Sequence, residues 1–168
     1  MKAFITSLAF ATLLAGCSSV SPEQAISMSP DKYIQAATVH PLSKVETIGV
    51  SRATTAIENS FRHAAAKCLK RREVQRANTF GDAELVTDYL PKVYRDGNGV
   101  VLEIQIIYDA HRAPNRTPRR LFLAKATPSS NGNVVTMVGP RVAHDAIFTG
   151  VQAWARGQNA PCFKYPGT

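Results

Sequence analysis

The run from Val100 to Asp109 constrains the fold more than any other part of the chain. Val100, Leu102, Ile104, Ile106 and Tyr108 alternate with Val101, Glu103, Gln105, Ile107 and Asp109. Successive side chains of a strand point to opposite faces, so this pattern predicts a strand of a sheet with one face on a hydrophobic core. Just before it, Asp96-Gly97-Asn98-Gly99 supplies residues that accept positive φ, as a tight hairpin turn requires. The hairpin partner is then Ala83 to Tyr94, which carries Leu85, Val86, Tyr89, Leu90, Val93 and Tyr94. Pro91 inside that run points to an edge position or a bulge, because proline has no amide to give to a ladder.

The remaining elements follow from periodicity and stop signals. Arg120 to Ala126 is predicted as the next strand and Val134 to Val138 as another, joined by the loop Pro128 to Asn133. Lys44 to Ser51 also alternates and reads as a first strand. Thr55-Ala56-Ile57-Glu58 has the form of a capping box, and the helix it opens is predicted to run to about Arg72. Ile57, Phe61, Ala64, Cys68 and Leu69 share one face of that helix. Ala143, Ile147, Val151 and Trp154 form a second apolar stripe over Arg141 to Arg156, with Gly157 placed to end it. The order is strand, helix, four strands, helix. The expected class is α+β: an antiparallel sheet of four to five strands with two helices packed on one face. This element order is similar to the helix-grip-type modules found in some envelope lipoproteins.

The N-terminus carries a different kind of information. Met1-Lys2 is followed by a charge-free run from Ala3 to Leu14, then Ala15, Gly16 and Cys17. The run is short of the roughly 20 apolar residues that span a bilayer, and reads as a signal peptide. Leu14-Ala15-Gly16-Cys17 resembles the lipobox of bacterial lipoprotein precursors at all four positions. The resemblance implies removal of residues 1–16, a diacylglycerol on the Cys17 sulfur and acylation of the new amino terminus. Ser18 stands where Asp tends to retain such proteins in the inner membrane, so the resemblance implies the outer membrane, facing the periplasm. Ser18 to about Ala37 is rich in Ser and Pro with little apolar periodicity, and offers at most a helical turn at Gln24 to Met28 or Pro30 to Ala37. The expected organisation is a signal peptide (1–16), a lipidated flexible tether (17–37) and a periplasmic α+β domain (38–168).

That compartment bears on the other cysteines. Cys68 and Cys162 are a pair in an oxidising environment, expected to form a disulfide, the alternative being two independent buried thiols. The precursor has a net charge of +8. Outside the cytoplasm such a surface suits anionic lipid headgroups, acidic glycans or an acidic protein, and nucleic acid is not expected. The candidate anion-binding residues are Lys70, Arg71 and Arg72 at the predicted helix end, and Arg112, Arg116, Arg119 and Arg120 in the loop before the third strand of the meander. Arg forks match phosphate and carboxylate, while solvation of a helix end and a loop explains the same charges. An exposed aromatic such as Tyr94 or Tyr108 beside them would point to binding.

Catalytic signals are sparse. His40, His63, His111 and His144 have no metal-ligand spacing, no GxSxG surrounds a serine, and Glu84 and Asp88 are too far apart along a strand for paired carboxylates. His144-Asp145 are chain neighbours and point in different directions on a helix. No catalytic residue, metal or cofactor is assigned. The expectation is a non-enzymatic binding or structural module of the cell envelope, held to the membrane through Cys17, with an acidic envelope component or protein as partner. The alternative is a small periplasmic hydrolase or glycan-processing enzyme, which needs a concave pocket lined by His or carboxylates.

Overall fold

The computed structural model describes residues 22–77, 83–110, 117–142 and 144–162. The leader, Cys17, Ala143 and the loop residues His111, Arg112 and Arg116 lie outside the described residues. The chain is α+β, with one open antiparallel sheet and, among the described residues, four α-helices. In chain order these are α1 (Pro22–Ser27), α2 (Pro30–Val39), β1 (Ser43–Val50), α3 (Thr54–Ala64), β2 (Arg71–Ala77), β3 (Ala83–Asp96), β4 (Gly99–Ala110), β5 (Arg119–Ser129), β6 (Gly132–Pro140) and α4 (Asp145–Ala155). The sheet order is β1-β6-β5-β4-β3-β2.

The expected helix pair lies on one face of the sheet. Ile57, Phe61 and Ala64 of α3 and Ile147, Phe148, Val151 and Trp154 of α4 pack with Val100, Leu102, Ile104, Phe122, Ala124 and Met137. Phe122 and Phe148 meet edge to face, with ring centroids 5.0 Å apart. Arg52 ties this layer together. Its guanidinium donates to the carbonyls of Trp154 (3.1 Å) and Ala155 (2.8 Å) in the last turn of α4, and to that of Ala56 (3.3 Å). Gly157 follows with φ +78°, as a helix stop of this kind requires.

Several expectations need correction. The strand count is six, because Arg71–Ala77 is a strand paired with β3. α3 passes into a π-helical turn, Ala65–Leu69, and the helix ends there. The basic residues expected at a helix end instead open the edge strand β2, where charged side chains discourage pairing with another chain. The capping box does not form. The N-cap is Ala53, and Glu58 pairs with Arg62 (2.8 Å) and Arg95 (2.5 Å). Pro91 sits in an inner strand, yet β2 reaches only to Tyr89, so β3 is an open edge where the proline lies.

The largest correction concerns the second face. The segment expected as a flexible tether is helical from Pro22, and α1 and α2 cover the sheet face opposite α3 and α4. Val101, Glu103, Gln105, Leu123, Lys125 and Val138 point to that face, and all are buried. The alternation in β4 is real, but its polar half faces a second layer of protein and not water.

Candidate functional site

Arg120 owes its place to a bulge. β4 and β5 pair in step from Val100↔Ala126 to Ile104↔Phe122, and then Gln105 pairs with Arg120. Leu121 is the extra residue. Without it Arg120 would fall on the α3–α4 face, because a one-residue slip reverses every side chain. With it, Arg120 lies beside Glu103 under α1. Arg120 Nε is 3.1 Å from Glu103 Oε1, and the two side chains are 3% and 4% exposed. Its Nη atoms donate to the carbonyls of Ile26 (3.3 Å) and Met28 (3.2 Å), and its guanidinium stacks 4.7 Å from the Tyr33 ring centroid. Glu103 also accepts from Gln105 Nε2 (2.7 Å) and the Tyr94 hydroxyl (3.0 Å). Burial would raise the Glu103 pKa, but these hydrogen bonds and the Arg120 charge outweigh it and hold the carboxyl below its ordinary range. Burial, with the Glu103 charge beside it, pushes the Tyr94 hydroxyl up to about 12.

Lys125 extends this buried polar layer. Its ammonium lies 2.7 Å from Asp31 of α2 and 2.8 Å from Asp96 at the end of β3. Burial opposes its charge, and the two carboxylates more than reverse that and raise its pKa. These groups are committed to each other. Arg120 and Lys125 fasten the N-terminal helices to the sheet, and Arg120, expected as an anion ligand, is closed to solvent and neutralised by Glu103.

The other candidate anion-binding residues divide. Arg71 Nε lies 3.1 Å from Glu73 Oε1 on the α3–α4 face, and Arg72 Nε is 3.9 Å from Asp88 Oδ1 on the other. Lys70 is exposed at the start of the edge strand, and Arg119 is exposed with its guanidinium 5.9 Å from the Tyr108 ring centroid. The register Arg71↔Tyr89↔Ile106↔Arg119 sets the two clusters on one row, three strands apart, or roughly 14 Å. Arg71 and Arg119 share one sheet face, Arg72 and Arg120 point to the other, and the two clusters do not converge on one point. Tyr108 is 41% exposed and flanks Arg119, which is the aromatic–basic pairing expected of a binding surface.

Cys68 and Cys162 are bridged, with Cα atoms 4.9 Å apart. The π-helical turn that carries Cys68 ends with the Lys70 amide donating to the Ala65 carbonyl (3.1 Å). The bridge walls an open groove of about 790 Å³ between α3 and residues 157–162. Asn59, His63 and Lys67 present exposed polar groups along it from α3, and Gln158 and Asn159 do so from the other side. Ser60 Oγ also lines it, but is held by the Ala56 carbonyl (3.1 Å) and by Arg52 (3.2 Å). The groove lining contains no carboxylate. Sequence reasoning placed Cys68 and Cys162 correctly but missed the groove, because nothing local signals that residues 157–161 run alongside α3.

Two further histidines have local roles. His40 Nδ1 accepts from the Leu42 amide (3.3 Å), and His144 Nδ1 lies 2.7 Å from the Val142 carbonyl. Asp145 pairs with Lys44 (2.5 Å) and not with His144. Among the described residues no group of His, Cys, Asp or Glu side chains is arranged to hold a metal ion. The chain matches no protein-family model and no curated protein.

Proposed function

We propose that this chain is a lipid-anchored protein of the bacterial outer membrane, and that its α+β domain is a binding module on the periplasmic side. The observation that carries the reading is Leu14-Ala15-Gly16-Cys17 closing a charge-free run behind Met1-Lys2. The Cys68–Cys162 bridge supports it, because such bridges persist in oxidising compartments. No described helix is long and apolar enough to cross a membrane, so attachment in this reading rests on the acyl chains. Two or three such chains hold a protein stably where one is marginal. The ligand site is the groove beside the bridge, whose exposed Lys67, His63 and amide side chains suit a polar or acidic ligand, such as an acidic glycan or an acidic segment of an envelope protein. Cys17→Ser is expected to move the protein from the membrane fraction to the soluble one. Retention in the membrane fraction would overturn the anchor.

His63 in a concave groove keeps one enzymatic reading in view, a periplasmic hydrolase or glycan-processing activity with His63 as proton carrier. His63→Ala separates the two. A binding module keeps most of its affinity for a captured ligand and turns nothing over, whereas an enzyme loses turnover of a glycan substrate.

A further inference from the structure

We propose that the end of the domain formed by Val39, Leu42 and Val142 rests on the anionic membrane surface to which the chain is anchored. The inference builds on the lipoprotein reading above and adds an orientation to it. Val39, Leu42 and Val142 are 84%, 71% and 75% exposed, the three highest values among the described large hydrophobic side chains. They stand together. The Arg141 amide donates to the Leu42 carbonyl (2.9 Å), continuing the pairing of Ser43 with Pro140. Val39 ends α2 three positions before Leu42. Exposed aliphatic side chains gathered at one end of a domain mark an interaction site more than scattered ones do.

The path of the chain says what covers them. Ala25 of α1 lines a small cavity with Tyr33, Ala36, Ala37, His40 and Ser43, and α1 itself packs on β5, where Arg120 near the start of that strand donates to the Ile26 and Met28 carbonyls, so the first helix lies at this same end of the sheet. From Cys17 to Pro22 the chain can reach at most ~18 Å. Acyl chains on Cys17 therefore hold this part of the domain close to the bilayer. The charge agrees. Arg141 is exposed beside the apolar residues, and Arg119 opens β5 at the same end of the sheet, next to half-exposed Tyr108. Among the described residues neither arginine has an ion-pair partner. Aliphatic side chains, an amphipathic aromatic and unpaired basic groups are the chemistry that settles into an anionic headgroup layer. A second copy fits less well, because three aliphatic side chains are a small patch beside the roughly 800 Å² per partner of a standard interface.

The test uses the full lipidated protein purified from envelopes, with Cys17 acylation checked by mass. Leu42→Trp and, at the opposite end of the sheet, Asn131→Trp are each reconstituted into vesicles of phosphatidylethanolamine and phosphatidylglycerol containing brominated lipid. Trp154 is buried in the core and contributes the same background to both. The indole at position 42 is expected to shift its emission to the blue and to be quenched, and the indole at 131 to do neither. Adding Arg119→Glu and Arg141→Glu is expected to reduce the quenching at 42. Equal quenching at both positions in a protein with acylated Cys17 would overturn the orientation and leave the anchor standing. A blue shift that depends on protein concentration and not on lipid would assign the patch to a second copy and overturn the proposal. An unmodified Cys17 would overturn the anchor and the orientation with it.

Discussion

A guanidinium with 3% of its side chain exposed, 3.1 Å from a carboxylate, has little water to replace a lost partner. Arg120→Met leaves Glu103 buried with its main countercharge gone, and strips the Ile26 and Met28 carbonyls of their donor. The expected loss is about 3–5 kcal/mol in urea denaturation. The double variant Glu103→Leu/Arg120→Met is expected to recover part of it, because no buried charge is left without its partner, while the Ile26 and Met28 carbonyls still lack their donor. Glu103 also sets a pH response. Its folded pKa lies below the unfolded value of about 4.3, so its stabilisation is complete above that pH and is lost as pH falls through the folded value. Lys125 runs the other way. Its folded pKa lies above the unfolded value of about 10.4, so its contribution is present below that pH and is lost as pH rises through the folded one. Urea midpoints of the wild type and Glu103→Gln should differ by a constant amount from pH 7 down to about 4.3, and converge below. A gap that persists at low pH would assign the difference to shape and not to charge. Arg120 could not be read from the sequence, since its face depends on the bulge at Leu121, and a bulge has no signature in a run as ordinary as Arg119 to Ala124.

Elements were legible where apolar residues recur at the period of the element. α4 and the strands β1, β5 and β6 fall within a few residues of expectation, because Ile147, Val151 and Trp154 recur at helical spacing and the strands carry aliphatics at a strand's spacing. β2 was not legible. Arg-Arg-Glu-Val-Gln-Arg resembles the charged end of a helix, and only its pairing with β3 makes it a strand. The N-terminal helices were legible only as isolated turns of a tether, for a related reason. Ser and Pro suggest a tether, but Pro30 starts a helix well, and α2 is held by two buried residues and by Lys125 and not by an apolar stripe. A fragment beginning at residue 38 is expected to be less stable than one beginning at residue 18, with a lower melting temperature and added exposure of β4 to exchange. It uncovers Val101, Glu103, Arg120 and Lys125 together. Equal melting temperatures would mean that α1 and α2 contribute nothing to the fold.

At the scale of the molecule, the sheet is sandwiched between two helical layers that differ in kind. One is an apolar core closed by Arg52 and by the Cys68–Cys162 bridge. The other is a polar layer that fastens the N-terminal segment, and with it whatever precedes Pro22, to the domain. The bridge joins residues 94 apart, for which the chain-entropy model gives about 4–5 kcal/mol. Denaturation in guanidinium with and without reductant should show a loss of that order, and thiol labelling of the unreduced, unfolded domain should find neither cysteine reactive. The groove beside the bridge is expected to lose its ligand on reduction while the buried Arg120–Glu103 layer persists. The central claim is that this domain is carried by a lipid on Cys17. The most direct measurement is mass spectrometry of the N-terminal peptide from protein purified out of bacterial envelopes. The expected chain begins at Cys17 and carries diacylglycerol on sulfur and an acyl chain on nitrogen. A chain that includes Cys17 with a free thiol would contradict it.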